Sequence, residues 1–468
     1  MGASASGSFY RAVWRWHFYA GLLVLPLLAW LAVTGGVFVF KDQIDDYFHA
    51  DLRFVPASAL AVRAPGVLVA AALAGYPGQV RSYTPPSTPT ASAAVGIALA
   101  DGRRLQVYVD PRRARVLGTL PEGGSVATTV RKLHSLKYFG PVARGAVELA
   151  AGWAILLVLT GVYLWWPRAG KASVLSVRGQ PRQRVFWRDL HATTGVLVGA
   201  MLTFLAVTGM PWSVLWGAQV NQWANGSNFG YPAGVRVQLP MSQQRLADAT
   251  PTAWSLGQAR LPLVAPPPAS GHEGHQAHEG HEGHGGQVQH GAAPGALSLD
   301  QAVLLFTRLG IAPGYTVLLP TGPRAPYSAS VYPHDLQQQR VIHLDQYSGK
   351  TLIDMRYADY GPLGRWLEWG INVHLGQQFG VPNQALLVVT CLAILLLCVS
   401  ACIMWWKRRP RGSLGVPALP VERRAMRTVF AMLFCGGLLF PLVGASLLLI
   451  AALDWYFLVR GGRAEVSV

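Results

Sequence analysis

The chain is short of charge. Of its 468 residues only 13% are charged and 51% are hydrophobic, against roughly 25% charged in a typical soluble domain. Five stretches contain no Lys or Arg at all: 21–40, 146–166, 192–216, 385–406 and 429–453. Each matches the roughly 20 apolar residues needed to cross a bilayer. Cysteine is scarce too. The four, Cys391, Cys398, Cys402 and Cys435, all lie in the last two apolar stretches. The long polar segments have none, which excludes a disulfide framework there, and the four read as buried small apolar residues. A Gly-rich dinucleotide fingerprint, a P-loop and a Ser/His/Asp arrangement are also missing. Electrons, if this protein handles them, must come from a membrane quinol or a separate reductase.

What is present is a repeat. The segment LHSLKYFGPVARGAVELAAGWAILLVLTGVYLWWPR, from Leu133, is echoed by VHLGQQFGVPNQALLVVTCLAILLLCVSACIMWWKR, from Val373. His134 falls on His374, Phe139 on Phe379, Gly140 on Gly380 and Trp165-Trp166 on Trp405-Trp406, all at an offset of 240. A second pair, RWHFYAGLLVLPLLAWLAVTGGVF from Arg15 and RDLHATTGVLVGAMLTFLAVTGMPW from Arg188, places His17 on His191 and one LAVTG on another at an offset of 174. The chain is a tandem duplication with its pseudo-axis along the membrane normal, plus one further helix.

The net charge of +17 raises the question of nucleic acid, but its placement answers otherwise. Six Lys/Arg and no acid lie from Pro167 to Arg188, and seven lie from Lys407 to Arg427 with only Glu422 against them. Such short basic loops are expected to be cytoplasmic. The expected layout is five transmembrane helices at 10–41, 133–167, 189–216, 373–407 and 428–459. Cytoplasmic loops at 168–188 and 408–427 and two outer α+β domains at 42–132 and 217–372 join them. The N-terminus is inside and the long loops outside. The first helix is too long for a signal peptide, and its twin cannot be one; it reads as an anchor. In the outer segments LQVYVDPRRARVLG, from Leu105, reads as a strand pair around Asp110-Pro111. VIHLDQYSGKTLID, from Val341, repeats it with Asp345 in the place of Asp110.

Histidine near a membrane helix end needs a partner or a task. At about 1.5 Å per residue, His17 lies roughly 20 Å from Leu31, near the inner face. His191 matches it, while His134 and His374 lie near the outer face. Two histidines facing each other across a bundle are what a six-coordinate haem iron needs. Gly21, Gly195, Gly199, Gly140 and Gly376 stand one or two turns away and would leave room for a flat macrocycle. Arg15 and Arg188 near the inner pair, and Arg131, Lys132 and Arg144 near the outer pair, are candidate partners for haem propionates. A lone histidine of this kind more often caps a helix end. Four at duplicated positions and two depths favour two haems, with non-haem ligation left open. A separate tract within the low-complexity insert 262–297 carries His272, His275, His278, His281, His284 and His290. It cannot form a core and reads as a loose site for copper, zinc, nickel or iron, or as a spacer. His49, His334 and His343 read as ordinary surface or strand residues.

These segments together resemble the PepSY-associated transmembrane proteins of the bacterial inner membrane, over nearly the whole chain. The carriers are RWHFYAGLLVLPLLAWLAVTG, LHSLKYFGP with GVYLWWPR, RDLHATTGVLVGAMLTFLAVTGMPW, VHLGQQFG with WWKRR, and the two hairpins, which are similar to the PepSY strand pair. The resemblance implies a ferric-siderophore reductase binding haem b through His17, His134, His191 and His374. It also implies outer domains that are periplasmic and PepSY-like. The His-rich insert departs from the family pattern and makes copper a second candidate substrate. Two other functions fit the same features: a non-enzymatic protein that presents periplasmic metal, and a PepSY-type regulator of a periplasmic protease.

Overall fold

The computed structural model describes residues 2–167, 175–226, 239–266, 295–410, 415–417 and 423–464. The histidine tract, His272 to His290, lies outside the described residues. The chain divides into two compact units, a helical one (1–40, 130–220, 370–468) and a sheet-bearing one (41–129, 221–369).

Among the described residues of the helical unit, four helices are long and apolar enough to cross a membrane: Gly7–Phe38, Lys137–Trp165, Arg184–Trp212 and Val381–Arg408. They form a closed ring. The first packs on the second, the second on the third, the third on the fourth and the fourth on the first. Small side chains permit this approach. Ala32, Ala154, Leu202, Ala206, Ile394 and Cys398 make a buried cluster to which all four helices contribute. Pro26 is tolerated within the first helix, as prolines are where neighbouring helices surround the backbone. Glu148, buried in the second helix, accepts from the backbone N–H groups of Leu215 at 2.9 Å and Trp216 at 3.2 Å. It thereby caps the short helix Trp216–Gly226, where a carboxylate favours the positive end of the helix dipole.

The segment expected to form one further crossing helix, 428–459, is broken in two. The segment is two helices, Arg423–Leu439 and Pro441–Ala464. Pro441 has no N–H to give and its ring displaces the carbonyl four residues back. Gly437 and Gly444 close the corner: a Cβ on Gly437 would lie 2.7 Å from the Gly444 Cα, so no larger residue fits. The corner sits against the second long helix, where Trp153 Nε1 donates to Ser446 Oγ at 2.9 Å. Of the cysteines Cys398 is buried and Cys391 partly so, but Cys402 and Cys435 are exposed, contrary to the expected burial.

The sheet-bearing unit corrects a second expectation, that of two separate outer domains. Its main sheet has eight strands, all antiparallel, in the order β10-β9-β8-β7-β1-β2-β3-β4. β1 (Gly78–Thr84), β2 (Ala93–Leu99), β3 (Arg104–Val109) and β4 (Val116–Pro121) come from the first polar segment. β7 (Thr316–Leu318), β8 (Tyr327–Val331), β9 (Arg340–Leu344) and β10 (Thr351–Arg356) come from the second. β5 (Met241–Arg245) and β6 (Arg260–Pro262) form a small separate pair. Each half is a four-strand meander with one exposed inner edge, and an unpaired edge is a template for another strand. β1 and β7 satisfy each other, Tyr83 opposite Val317. One apolar core then serves both halves. Leu68, Val95 and Val107 of the first are continuous with Phe306, Val317 and Ile342 of the second. The helices Pro65–Gly75 and Leu299–Arg308 cover this face. They are tied together by Asp300, whose carboxylate accepts from Gly66 N–H at 2.7 Å.

Both strand pairs expected around Asp110 and Asp345 are present, as β3–β4 and β9–β10. The two aspartates do the same work. Asp110 Oδ1 accepts from the N–H of Arg112 at 2.9 Å and Arg113 at 3.1 Å. Asp345 Oδ1 accepts from Tyr347 at 2.8 Å and Ser348 at 2.9 Å. Such aspartate-capped turns fix the register of the hairpins. Burial alone would raise the Asp110 carboxyl, but the two N–H groups and Arg113 outweigh it and hold it below the usual range.

Candidate redox site: four histidines and four hydroxyls

His17 lies on the first long helix and His191 on the third, opposite members of the ring. His134 and His374 end the short helices Val126–His134 and Pro362–His374, which lead into the second and fourth, again opposite members. The structure therefore groups them as two pairs by depth. Each of the four residues is partly buried.

Every one of the four meets a hydroxyl on a neighbouring helix. His17 Nδ1 is 2.8 Å from Thr160 Oγ1. His134 Nδ1 is 2.9 Å from Thr34 Oγ1. His374 Nδ1 is 2.8 Å from Thr208 Oγ1, and His191 Nδ1 is 3.0 Å from Ser400 Oγ. A hydroxyl has one proton. Thr160, Thr34 and Thr208 each give theirs to the carbonyl four residues back, at 2.7 Å: Leu156, Trp30 and Phe204. Toward histidine they can only accept. Nδ1 therefore carries the hydrogen, and Nε2 keeps a lone pair. At His191 the same tautomer follows independently, because Nδ1 also lies 3.2 Å from the Leu397 carbonyl, which can only accept.

The pairing is reciprocal. The first long helix offers His17 near one end and, 17 residues on, Thr34 near the other. The second accepts His17 with Thr160 and offers His134 to Thr34. The third and fourth repeat this with His191–Ser400 and Thr208–His374. Each repeat is thus closed on itself by two histidine–hydroxyl bonds through Nδ1.

Room for three of the imidazoles comes from glycines other than those expected from the sequence. A Cβ on Gly35 would lie 3.2 Å from the His134 Cε1, one on Gly161 3.4 Å from His17 Cε1, and one on Gly209 3.6 Å from His374 Cε1. These follow Thr34, Thr160 and Thr208 directly, so one dipeptide both holds the imidazole and clears space beside it. Of the glycines expected from sequence, Gly21 and Gly140 do face open space, whereas Gly195, Gly199 and Gly376 meet Leu397, Val158 and Val39. The hydroxyl residues are what sequence reasoning missed. Their signal was there. Thr34 and Thr208 sit in the duplicated LAVTG, and Thr160 and Ser400 stand at the histidines' own offset of 240.

The basic residues are placed less uniformly. Arg15 is buried and donates to the Pro417 carbonyl and to Tyr19 Oη, the latter at 3.1 Å. Arg188 is bound to Asp189 at 2.8 Å, which also holds Arg178 at 2.7 Å. Arg131 is exposed on the helix that ends at His134. Lys132 stacks over the Tyr138 ring at 5.6 Å, and Arg144 donates to the Trp212 carbonyl at 3.4 Å.

A family model described as the PepSY-associated TM region matches residues 14–408. The chain belongs to that family. The match takes in all four histidines and their four hydroxyl partners. A comparison with curated proteins gives no match.

Outside the helices, the sheet face opposite the shared core bears a cleft of about 490 Å³. Ser82, Thr84 and Thr316 line its floor, and Arg53, Arg81 and Arg104 stand around it. Arg53 is paired with Asp46 at 3.1 Å and Arg104 with Glu122 at 3.5 Å. Among the described residues Arg81 has no such pairing. His49 accepts from the Val126 N–H at 3.2 Å, His334 pairs with Asp42 at 3.1 Å, and His343 is buried against Ser328 at 2.7 Å. All three are engaged locally.

Proposed function

We propose that this PepSY-family chain is an inner-membrane electron-transfer protein that holds two b-type haems and reduces a metal complex, a ferric siderophore above all, on the periplasmic side. The observation that carries this reading is the pair of opposed histidines at each of two depths, with every Nδ1 tied to a hydroxyl. Two histidines from opposite helices of the ring would suit a haem iron, which would supply the redox chemistry. Zinc or non-haem iron commonly takes three or more protein ligands. Among the described residues no cluster of three or more His, Cys, Asp or Glu occurs.

His17 and His191 would hold one haem, His134 and His374 the other, and a b-type haem supplies reversible one-electron exchange. The chain's own residues do the rest. The hydroxyls fix the imidazole tautomer, the apolar cluster of Ala154, Ile394 and Cys398 keeps water from the interior, and the ring of helices holds the two levels apart. Basic loops at 168–188 and 408–427 support an orientation with the His17 level toward the cytoplasm. A quinol or a separate reductase would donate there. The cleft floored by Ser82, Thr84 and Thr316 would receive an oxygen-rich complex. One-electron reduction of Fe(III) to Fe(II) loosens it from hard oxygen ligands and releases it.

A visible spectrum and a pyridine haemochrome assay on protein purified from haem-replete cells test this. The expected result is about two b-type haems per chain. A folded, haem-free preparation would overturn it in favour of a metal-presenting or protease-regulating protein.

A further inference from the structure

The end of the bundle beside His191 presents charge of one sign. Arg182, Arg184, Lys407 and Arg409 are exposed there, and the side chains of Arg178 and Arg188 are 62% and 52% exposed. Among the described residues of that end the one carboxylate is Asp189. It is buried, and both its oxygens are taken by Arg178 and Arg188. The positive-inside rule accounts for basic residues in such loops, but it does not require them to be fixed in place. Here the two basic segments are fastened to each other. Lys407 Nζ donates to the Arg182 carbonyl at 2.9 Å, and Trp187 Nε1 donates to the Pro181 carbonyl at 2.8 Å. The Arg409 guanidinium lies 4.0 Å from the centre of the Trp406 ring. The cations thus sit on a formed surface across the packed ends of the third and fourth long helices. That surface is near a ligand. Arg188 precedes His191 by three residues, and Lys407 follows Ser400, which holds His191, by seven. At about 1.5 Å per residue these are roughly 5 and 10 Å of helix.

Such a face fits an acidic partner. Complementary charge patches steer encounter and raise association rates about 10- to 1000-fold, less so as salt is added. Complexes that exchange only an electron are small and transient, so a patch of this size is enough. A membrane quinol fits less well. It sheds two protons with its two electrons, and among the described residues at this level no carboxylate stands open to receive them. We propose that the electron donor is a soluble, acidic one-electron carrier protein that docks on Arg182, Arg184, Lys407 and Arg409. One electron passes from the reduced carrier to the His17–His191 site, where ferric iron becomes ferrous. The carrier leaves oxidised by one electron, and no bond or proton changes hands. The proposal rests on the haem reading and the orientation given above.

The test uses the full-length, haem-loaded protein in nanodiscs of neutral phosphatidylcholine, with flavodoxin as the acidic probe. Binding of oxidised flavodoxin, read by calorimetry, needs no turnover. It should be measurable at low salt and weaken at least about tenfold when screening is made strong. The triple variant Arg182→Gln, Arg184→Gln, Lys407→Gln should weaken it about tenfold with the visible spectrum unchanged. It should slow reduction by pre-reduced flavodoxin by a similar factor and leave reduction by dithionite as it was. Neutral glutamine at these positions leaves Arg178, Arg188, Arg408 and Arg409 to hold the orientation. If the triple variant fails to fold, Arg182→Gln with Arg184→Gln decides. No flavodoxin binding, or binding that neither salt nor the variant weakens, overturns the proposal. So does faster reduction by duroquinol than by flavodoxin at equal concentration. Binding of the patch to anionic vesicles alone also overturns it and assigns the cations to lipid headgroups. In each of these cases intact haem bands leave the haem reading standing. If the folded protein shows no haem bands, both fall.

Discussion

Thr34 and His134 lie 100 positions apart in the chain and 2.9 Å apart in the structure. A hundred and seventy-four positions after Thr34, Thr208 holds His374 in the same way at 2.8 Å. A contact repeated in both halves of a duplication, between residue types that need not meet to pack a helix, is a requirement on the site rather than on the bundle.

That relationship gives the first prediction. Removing a group that orients a metal-bound histidine typically costs about 10- to 100-fold in affinity. Thr34→Val should lower haem occupancy at one of two sites, read as the haem-to-protein ratio after dilution or competition with apomyoglobin. Thr34→Ser should retain it. Equal retention by the valine variant would show that the hydroxyl does not hold the ligand.

Ligand pairing is the second. His17→Ala and His191→Ala should remove the same spectral component, and the double variant should match either single, because both serve one iron. His17→Ala with His134→Ala should remove both components. Loss of the same component in the His17→Ala and His134→Ala single variants would contradict the opposed arrangement of the helices.

The shared core makes the third. Phe306 is fully buried in a cluster drawn from both halves of the sheet. Truncating such a side chain costs about 3–5 kcal/mol, so Phe306→Ala should weaken both halves at once. Limited proteolysis followed by mass spectrometry should show cleavage appearing together near residues 100–104 and 333–339. Cleavage confined to the second half would mean that the halves fold independently.

Acid sensitivity is the fourth. Burial holds His343 down to about 4 from an ordinary value of 6.5. The unfolded chain therefore takes up a proton that the folded chain refuses between these values, and stability is present above pH 6.5 and lost as pH falls toward 4. The full loss is roughly 3 kcal/mol at 1.36 kcal/mol per unit. Glu368, raised by burial, acts in the opposite sense, so the quantity to compare is the slope in the wild type against that in His343→Gln. Thermal unfolding across pH 4–7 should show a shallower slope in the variant. Identical slopes would place the histidine's titration elsewhere.

The reduction step supplies the last. Arg81 stands in the cleft without a partner among the described residues. Arg81→Glu should raise KM for an anionic ferric complex severalfold with kcat and the haem spectrum unchanged. An unchanged KM would remove the cleft as the receiving surface.

How much of this the sequence determined follows from what kind of interaction each feature needs. Four helices long and apolar enough to cross a membrane, the duplication and the two aspartate hairpins are set by local composition and by spacing along the chain, and they were legible. Helix rise alone places His17 and Thr34 at opposite ends of one span. The break in the last apolar run was not legible, because hydropathy does not register what Pro441 does beside Gly437 and Gly444. The joining of the two polar segments into one sheet was invisible because it depends on the edges of β1 and β7 finding each other, a pairing between residues more than 230 apart with no pattern of its own. The hydroxyl partners were in plain view as LAVTG and LTG, but a threonine in a membrane helix ordinarily bonds its own backbone. Only the ring of helices, by bringing Thr160 against His17 and Ser400 against His191, decided that each would hold an imidazole as well.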